Sequence, residues 1–257
     1  QYQRHLYHYR RDNGQALSVY TQYGYTVDVQ AFFRWLLKSN HLLYNPASDL
    51  DLPRVHKCLP KDILTAQEAD IIINQTNLKE PQGIRDRAIL ELLYSTGIRR
   101  MELASLKFPD VDKEKGTIRI RDGKGGRERI IPVGDRAIAW IGKYLDEVRP
   151  LWVNDPEEKT LFVSYYGEAF HVDYLSRLVR RYIEKANIGK TASCHIFRHT
   201  MATLMLEGGA DIRFVQAMLG HANLKTTEIY THVSIQQLKK VHSATHPAKL
   251  HKNLVSE

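Results

Sequence analysis

The 257-residue chain holds only two cysteines, Cys58 and Cys194. Two thiols cannot build the disulfide framework of a small secreted domain, and their scarcity fits a reducing, cytosolic compartment. No apolar run approaches the roughly 18 residues that a membrane helix needs, so no membrane partner is expected. Glycine (15) and proline (9) are too few for a collagen-like or low-complexity chain. No signal-peptide pattern opens the chain, which starts at Gln1 rather than Met and so reads as a piece of a longer one. Acidic residues are in deficit: 29 Asp and Glu stand against 37 Lys and Arg, for a formal charge of +8 and a pI near 9.3. That excess favours a polyanionic partner such as nucleic acid. An apolar fraction of 43% excludes a chain disordered throughout and suffices for a packed core, in one large domain or two.

Residues 1–50 read as helical, with a helix from Tyr25 to Leu43 carrying Val27, Val29, Phe32, Phe33, Leu36 and Leu37 at mostly three- and four-residue spacings. The prolines of Leu52-Pro53 through Leu59-Pro60 break periodicity and mark a linker over 52–61. Domain boundaries follow: 1–51, then the linker, then 62–257 with a C-terminal tail of about 235–257. Thr65-Ala-Gln-Glu68 has the capping-box pattern that opens a helix. Ile84–Ser95 reads as a strong helix with Ile84, Ala88, Leu92 and Leu93 on one stripe and Gly97 as its C-terminal cap. Thr117–Arg121 and Arg129–Val133 read as strands around the turn Gly123-Lys-Gly-Gly126, and Leu161–Ser164 as a third strand. From Asp173 to about His242 the pattern is helical again, with one helix stopping at Gly208-Gly209 and the next capped by Asp211. The expected fold class is mostly α with a small antiparallel β-sheet. The absence of βαβ alternation argues against a doubly wound sheet.

Several segments hold residues able to do chemistry. In His195-Ile-Phe-Arg198-His199, a helix would put His195 and Arg198 on one face, suited to gripping a phosphate. The residues Ile-Phe-Arg between His195 and His199 set a cation beside two imidazoles, which disfavours zinc there, and Cys-x-x-Cys does not occur. Gly123-Lys-Gly-Gly126 lacks P-loop spacing, so ATP use has no support. No cofactor or metal is expected.

Taken together, His195-Ile-Phe-Arg198, Leu219-Gly-His221 and Tyr230, nine residues beyond that His, resemble the signature of the tyrosine recombinase (phage integrase) family. Thr96-Gly-Ile-Arg99-Arg-Met-Glu102-Leu resembles the family's first arginine box, and Gly123-Lys124-Gly-Gly-Arg-Glu-Arg129 its β-hairpin lysine. The resemblance covers about residues 60–247, and the tail through His246-Pro247 resembles the Xer branch. It implies the tyrosine recombinase catalytic fold preceded by a helical core-binding domain, with residues 1–51 as a partial, N-terminally truncated version of that domain.

The resemblance also implies site-specific DNA recombination without ATP or metal. Tyr230 would attack a phosphodiester and form a 3′-phosphotyrosyl link. His195 would accept a proton. Arg99 and Arg198 would neutralise charge on the non-bridging oxygens, His221 would add a hydrogen bond, and Lys124 would protonate the leaving 5′-oxygen. Glu102, one turn after Arg99, would hold that guanidinium or a neighbouring histidine. Arg177, Arg180, Arg181 and Lys185 are expected to make one basic helical face toward DNA phosphates, with Arg4, Arg10, Arg11 and Arg34 of the first domain on the opposite side. The implied partners are a double-stranded site with inverted-repeat arms and a homo-tetramer on DNA, a dimer per site, in the cytoplasm with the nucleoid. The segment after Tyr230 would dock on a neighbouring subunit or pack in cis. A catalytically silent DNA-binding protein and a type IB topoisomerase stand as the alternatives.

Overall fold

The computed structural model describes residues 1–55, 63–121, 128–190 and 192–220. The chain divides into two compact units, Gln1–Cys58 and Leu59–Glu257.

In the first unit, α1 (Tyr2–His8) and α2 (Val19–Lys38) pack on each other around Leu6 and Leu17. Ser18 caps α2, its hydroxyl accepting from the Thr21 amide at 3.1 Å. The Gln3 side chain donates to the Asp51 carbonyl and the Gln30 side chain to the Leu50 carbonyl, which ties the unit's last residues back onto both helices. The helix predicted for Tyr25–Leu43 begins earlier and ends sooner. Asn40 takes the left-handed conformation at φ 56°, which stops the helical path, and turns follow to Leu50. Phe32 and Trp35 on α2 remain exposed.

The second unit begins with α3 (Ala66–Ile73), opened by the predicted capping box: Thr65 accepts from the Glu68 amide and Glu68 from the Thr65 amide. Next is α4 (Pro81–Thr96), with Pro81 in its first turn, where no amide is needed, and Gly97 closing it in the left-handed region at φ 59°. Then come α5 (Arg100–Ser105), a 3-10 turn at Phe108–Asp110, and an antiparallel sheet of β1 (Val111–Asp112), β2 (Thr117–Ile120) and β3 (Arg129–Pro132) in that order. Ile118 pairs with Ile131 and Ile120 with Arg129, so the alternation turns Ile118, Ile120 and Ile131 into the core and leaves Ile130 outside. α6 (Asp135–Lys143) runs through a π-turn at Tyr144–Val148 into α7 (Arg149–Trp152). α8 (Val172–Ala186), α9 (His195–Glu207) and α10 (Ile212–Leu219) complete the described elements.

The third strand expected at Leu161–Ser164 does not form. Its place in the sheet is taken by β1, and residues near 161–164 make isolated bridges, Lys107 with Thr160 and Val163 with Ala169. The reason lies in contacts with distant parts of the chain. The Val163 amide donates to the Tyr144 hydroxyl, and the Val163 carbonyl accepts from Arg85, so side chains take the groups a ladder would need. The helical pattern after Asp173 is also interrupted: Asn187 ends α8 at φ 48°, and Asp211 caps α10 as its position predicts. The remainder of that pattern, 221–242, lies outside the described residues.

α4 is the axis of this unit, packing against α6 and α9. Beyond its apolar stripe it buries Arg85, Asp86 and Glu91, each with partners. Arg85 donates to Asp86 at 2.8 Å and to the Tyr174 hydroxyl, inside a box made by Trp152, Phe170 and Tyr174. Asp86 also accepts from Arg181 on α8 at 3.0 Å and from the Tyr182 hydroxyl at 2.8 Å. Glu91 accepts from Arg87 and from Arg136 on α6. Buried charges persist when paired and hydrogen-bonded in this way. No helix among the described residues is long and apolar enough to cross a membrane.

Candidate active site

The left-handed turn at Gly97 ends α4 and leads directly through Ile98 to Arg99, the N-cap of α5. Gly97 meets α9 closely: a Cβ there would come within 2.5 Å of Met201 Cε and 3.4 Å of Arg198 Cα. The approach lets the buried Arg198 donate through Nη1 to the Gly97 carbonyl at 2.7 Å and through Nη2 to the Leu219 carbonyl at 2.8 Å. The guanidinium is thereby fixed between the C-terminal ends of α4 and α10. Arg99 reaches the next carbonyl of the same turn, that of Gly220, at 3.3 Å. Two arginines 99 positions apart in sequence thus converge on consecutive peptide groups, immediately before His221.

Glu102 is the negative centre of the site and is fully buried. Its Oε2 accepts from the Arg99 amide at 2.9 Å and its Oε1 from Arg99 Nη1 at 2.8 Å. The same carboxylate takes a two-pronged grip from Arg129, Nη1 to Oε1 at 3.0 Å and Nη2 to Oε2 at 2.8 Å. Burial alone would raise the Glu102 pKa, but the bonds from Arg129 and Arg99 outweigh it and hold the carboxyl below its ordinary range. Glu102 therefore holds Arg99, one of the two roles the sequence suggested for it.

Arg129 was not among the sequence candidates. A signal for it exists: in Arg129-Ile-Ile131 the strand alternation puts Arg129 on the same inward face as buried Ile131, an unusual place for a cation.

His195 begins α9, one turn before Arg198. Desolvation, and then the fields of Arg198, Arg100 and Arg99, lower its pKa, so the ring favours its neutral form. A neutral imidazole can accept a proton. His199, further into the fold, is pushed the same way by burial, His195 and Arg198. Arg100 turns from Arg99 toward α8, donating to Ser176 at 3.0 Å. Lys124, His221 and Tyr230 lie outside the described residues, as does the tail proposed to dock or pack in cis. Arg99, Arg198 and Glu102 are brought together, with His195 within electrostatic reach of the two arginines.

The four basic residues predicted for α8 all lie on its exposed side, and two of them also bond to the fold. Leu175, Leu178, Val179, Tyr182 and Ile183 face the core, leaving Arg177, Arg180, Arg181 and Lys185 exposed. Arg181 is held on Asp86 and over the Tyr182 ring, and Lys185 donates to the Gln75 carbonyl at 2.8 Å. Those two are tethered to the fold while staying exposed. In the first unit, Arg4 lies exposed on α1 and Arg34 on α2, while Arg10 and Arg11 follow α1. Arg10 Nη1 donates to the Tyr7 and Tyr9 carbonyls.

The phage integrase family model matches residues 62–237. Tyrosine recombinase XerC 2 of Ralstonia nicotianae is 52% identical over 249 residues, covering 97% of this chain and 72% of that protein. Tyrosine recombinase XerD of Staphylococcus epidermidis is 37% identical over 219 residues, 85% of this chain and 74% of that one. Among solved structures, XerA recombinase superimposes with a TM-score of 0.63 at 33% identity, over 90% of this chain and 78% of that one. XerH recombinase bound to a palindromic difH substrate after cleavage gives 0.73 at 27% identity, over 90% and 68%.

Proposed function

Because the chain belongs to the phage integrase family, as an Xer-like tyrosine site-specific recombinase, we propose that Tyr230 is its nucleophile and that Arg99, Lys124, His195, Arg198 and His221 complete the catalytic set. Its relatives favour neither a silent DNA-binding protein nor a type IB topoisomerase. The observation that carries the reading is the convergence of Arg99 and Arg198 on the Leu219 and Gly220 carbonyls, directly ahead of His221.

The chemistry follows from charge and proton balance. The Tyr230 oxygen attacks the scissile phosphorus, the bond from phosphorus to the 5′-oxygen breaks, and a 3′-phosphotyrosyl link remains. A phenol with a pKa of about 10 is mostly protonated at neutral pH, and its proton passes to the neutral His195. Negative charge builds on the non-bridging oxygens, where the planar forks of Arg99 and Arg198 each present paired donors. Lys124 supplies the proton to the departing 5′-oxygen, and His221 adds a hydrogen bond to the phosphate. The phosphotyrosyl ester conserves the bond energy, so a second 5′-hydroxyl rejoins the strand without ATP.

The partner is double-stranded DNA with inverted-repeat arms, bound by a dimer per site and a tetramer per synapse, in the cytoplasm. Residues 1–51 act as the partial core-binding domain, joined by a linker over 52–61 to the catalytic domain 62–257. Arg177, Arg180, Arg181 and Lys185 of α8 contact flanking phosphates, and Arg10, Arg11 and Arg34 grip DNA from the first domain. The test is Tyr230→Phe against the wild-type chain on a nicked duplex that traps covalent adducts. Wild type should form a protein–DNA adduct and the variant none. Adduct formation by the variant at the wild-type level would remove Tyr230 from the role.

A further inference from the structure

We propose that Arg129 is a positioning residue for the phosphate-binding arginine: it answers the charge of Glu102, so that Arg99 is oriented by that carboxylate without being neutralised by it. The inference rests on the recombinase reading of the site.

The Glu102 carboxylate accepts four bonds, two from Arg99 and two from Arg129. Their forms differ. Arg129 spans both oxygens with a parallel fork, the strong bidentate geometry, whereas the Arg99 guanidinium donates to Oε1 alone. A carboxylate paired with Arg99 only would make a closed neutral pair, with little field left for an incoming dianionic transition state. With Arg129 present, the three groups carry a net charge of +1, and the rest of the Arg99 fork is left for a ligand. Arg129 is mostly interior, 13% exposed at its side chain, so its charge is poorly screened by water.

Arg129 also fixes where this charge lies. Its Nε donates to the Met218 carbonyl in the last turn of α10, at 3.0 Å. The next turn of chain rests on the same guanidinium: Gly220 is left-handed at φ 61°, and a Cβ there would stand 3.0 Å from the fork. One side chain therefore ties β3 to α5 through Glu102 and to the end of α10, three residues before His221. A lysine at this position could offer a point charge but not the fork.

The test uses the full chain and a nicked duplex bearing the cleavage sequence that wild type selects from randomised inverted repeats. Arg129→Gln, which removes the charge but keeps an N–H for the Met218 carbonyl, should form adduct at least about tenfold more slowly than wild type, as expected for a disturbed oxyanion-type donor, with DNA affinity changed less than about twofold. The discriminating substrate carries a methylphosphonate at the scissile position. It lacks the charged non-bridging oxygen, so it asks less of Arg99, and the variant's deficit should shrink to within about threefold of wild type. Arg129→Lys, which keeps the charge without the fork, should fall between wild type and Arg129→Gln, and it stands in should Arg129→Gln fail to fold. Adduct formation by the variant at the wild-type rate, or a deficit equally large on the methylphosphonate, overturns the proposal. A wild-type chain that forms no adduct overturns the recombinase reading instead, which keeps the two failures apart.

Discussion

Arg198 donates to the Leu219 carbonyl at 2.8 Å, so the second arginine of the site doubles as the fastening between α9 and the last turn of α10. Its other terminal nitrogen fastens α9 to the end of α4 through Gly97. Arg198→Lys keeps the charge but cannot span both carbonyls. Cleavage should fall about 10²–10³-fold, the range for loss of an oxyanion donor. Stability should fall by about 1–3 kcal/mol, because helix-end carbonyls lose a buried donor. Adduct kinetics and denaturant unfolding on the same preparation separate the two effects, and an unchanged midpoint would contradict the fastening.

The histidines set the acid side of the pH response. Folded His195 and His199 both have pKa values below the unfolded value of about 6.5. Between the two values the unfolded chain binds more protons than the folded one, so stability rises with pH through that window and is lost as pH falls below about 6.5. The cleavage rate should therefore hold at pH 6.5 and decline only at lower pH, as His195 takes up a proton. A single-turnover pH profile checks this, and a midpoint above 6.5 would contradict it.

Gly97 should not tolerate a side chain. Its φ of 59° is strained for an L-residue, at about 1–2 kcal/mol for a left-handed position. The 2.5 Å approach to Met201 Cε adds less, since the end of a methionine can move. Gly97→Ala should lower stability by about that amount and slow cleavage as well, because the same turn leads into Arg99. Thermal melting and adduct rates give the two readings.

Asp86 is a structural acid with Arg85, Arg181 and Tyr182 on it. Asp86→Ala strands the buried Arg85 and should destabilise by about 3–5 kcal/mol. Pairing Asp86→Leu with Arg85→Met should recover part of that loss, since no buried charge is left unpaired and Arg181 is exposed enough to be hydrated. Equilibrium unfolding of the single and double variants completes the comparison.

Local signals carried far in this chain. Thr65 and Glu68, Gly97, Asp211 and the paired strands 117–120 and 129–132 all stand where their own residues put them. Failures came where long-range contacts decide. The apolar run at Leu161 has strand composition, yet Tyr144 and Arg85 claim its backbone. α4 reads as amphipathic but is buried nearly all round, because each of its interior charges finds a partner more than forty residues away or beside it. Arg99, Arg198 and Glu102 were reached through the resemblance of their boxes to a family signature, and the fold brings the three close together. Arg129 was not reached, because its role depends on a carboxylate 27 residues upstream and a carbonyl 89 residues downstream.

The charged groups along α4 also act as an index. One residue of rotation about a helix axis is roughly 100°. Such a slip would carry Arg85 out of its aromatic box, Asp86 away from α8 and Glu91 away from α6 in one movement. An all-leucine helix could settle into the same groove at several angles, whereas this one has a single angle that satisfies every charge. The angle is passed on through Gly97 to Arg99, so the aim of a partly buried guanidinium is set by ion pairs in the middle of the core.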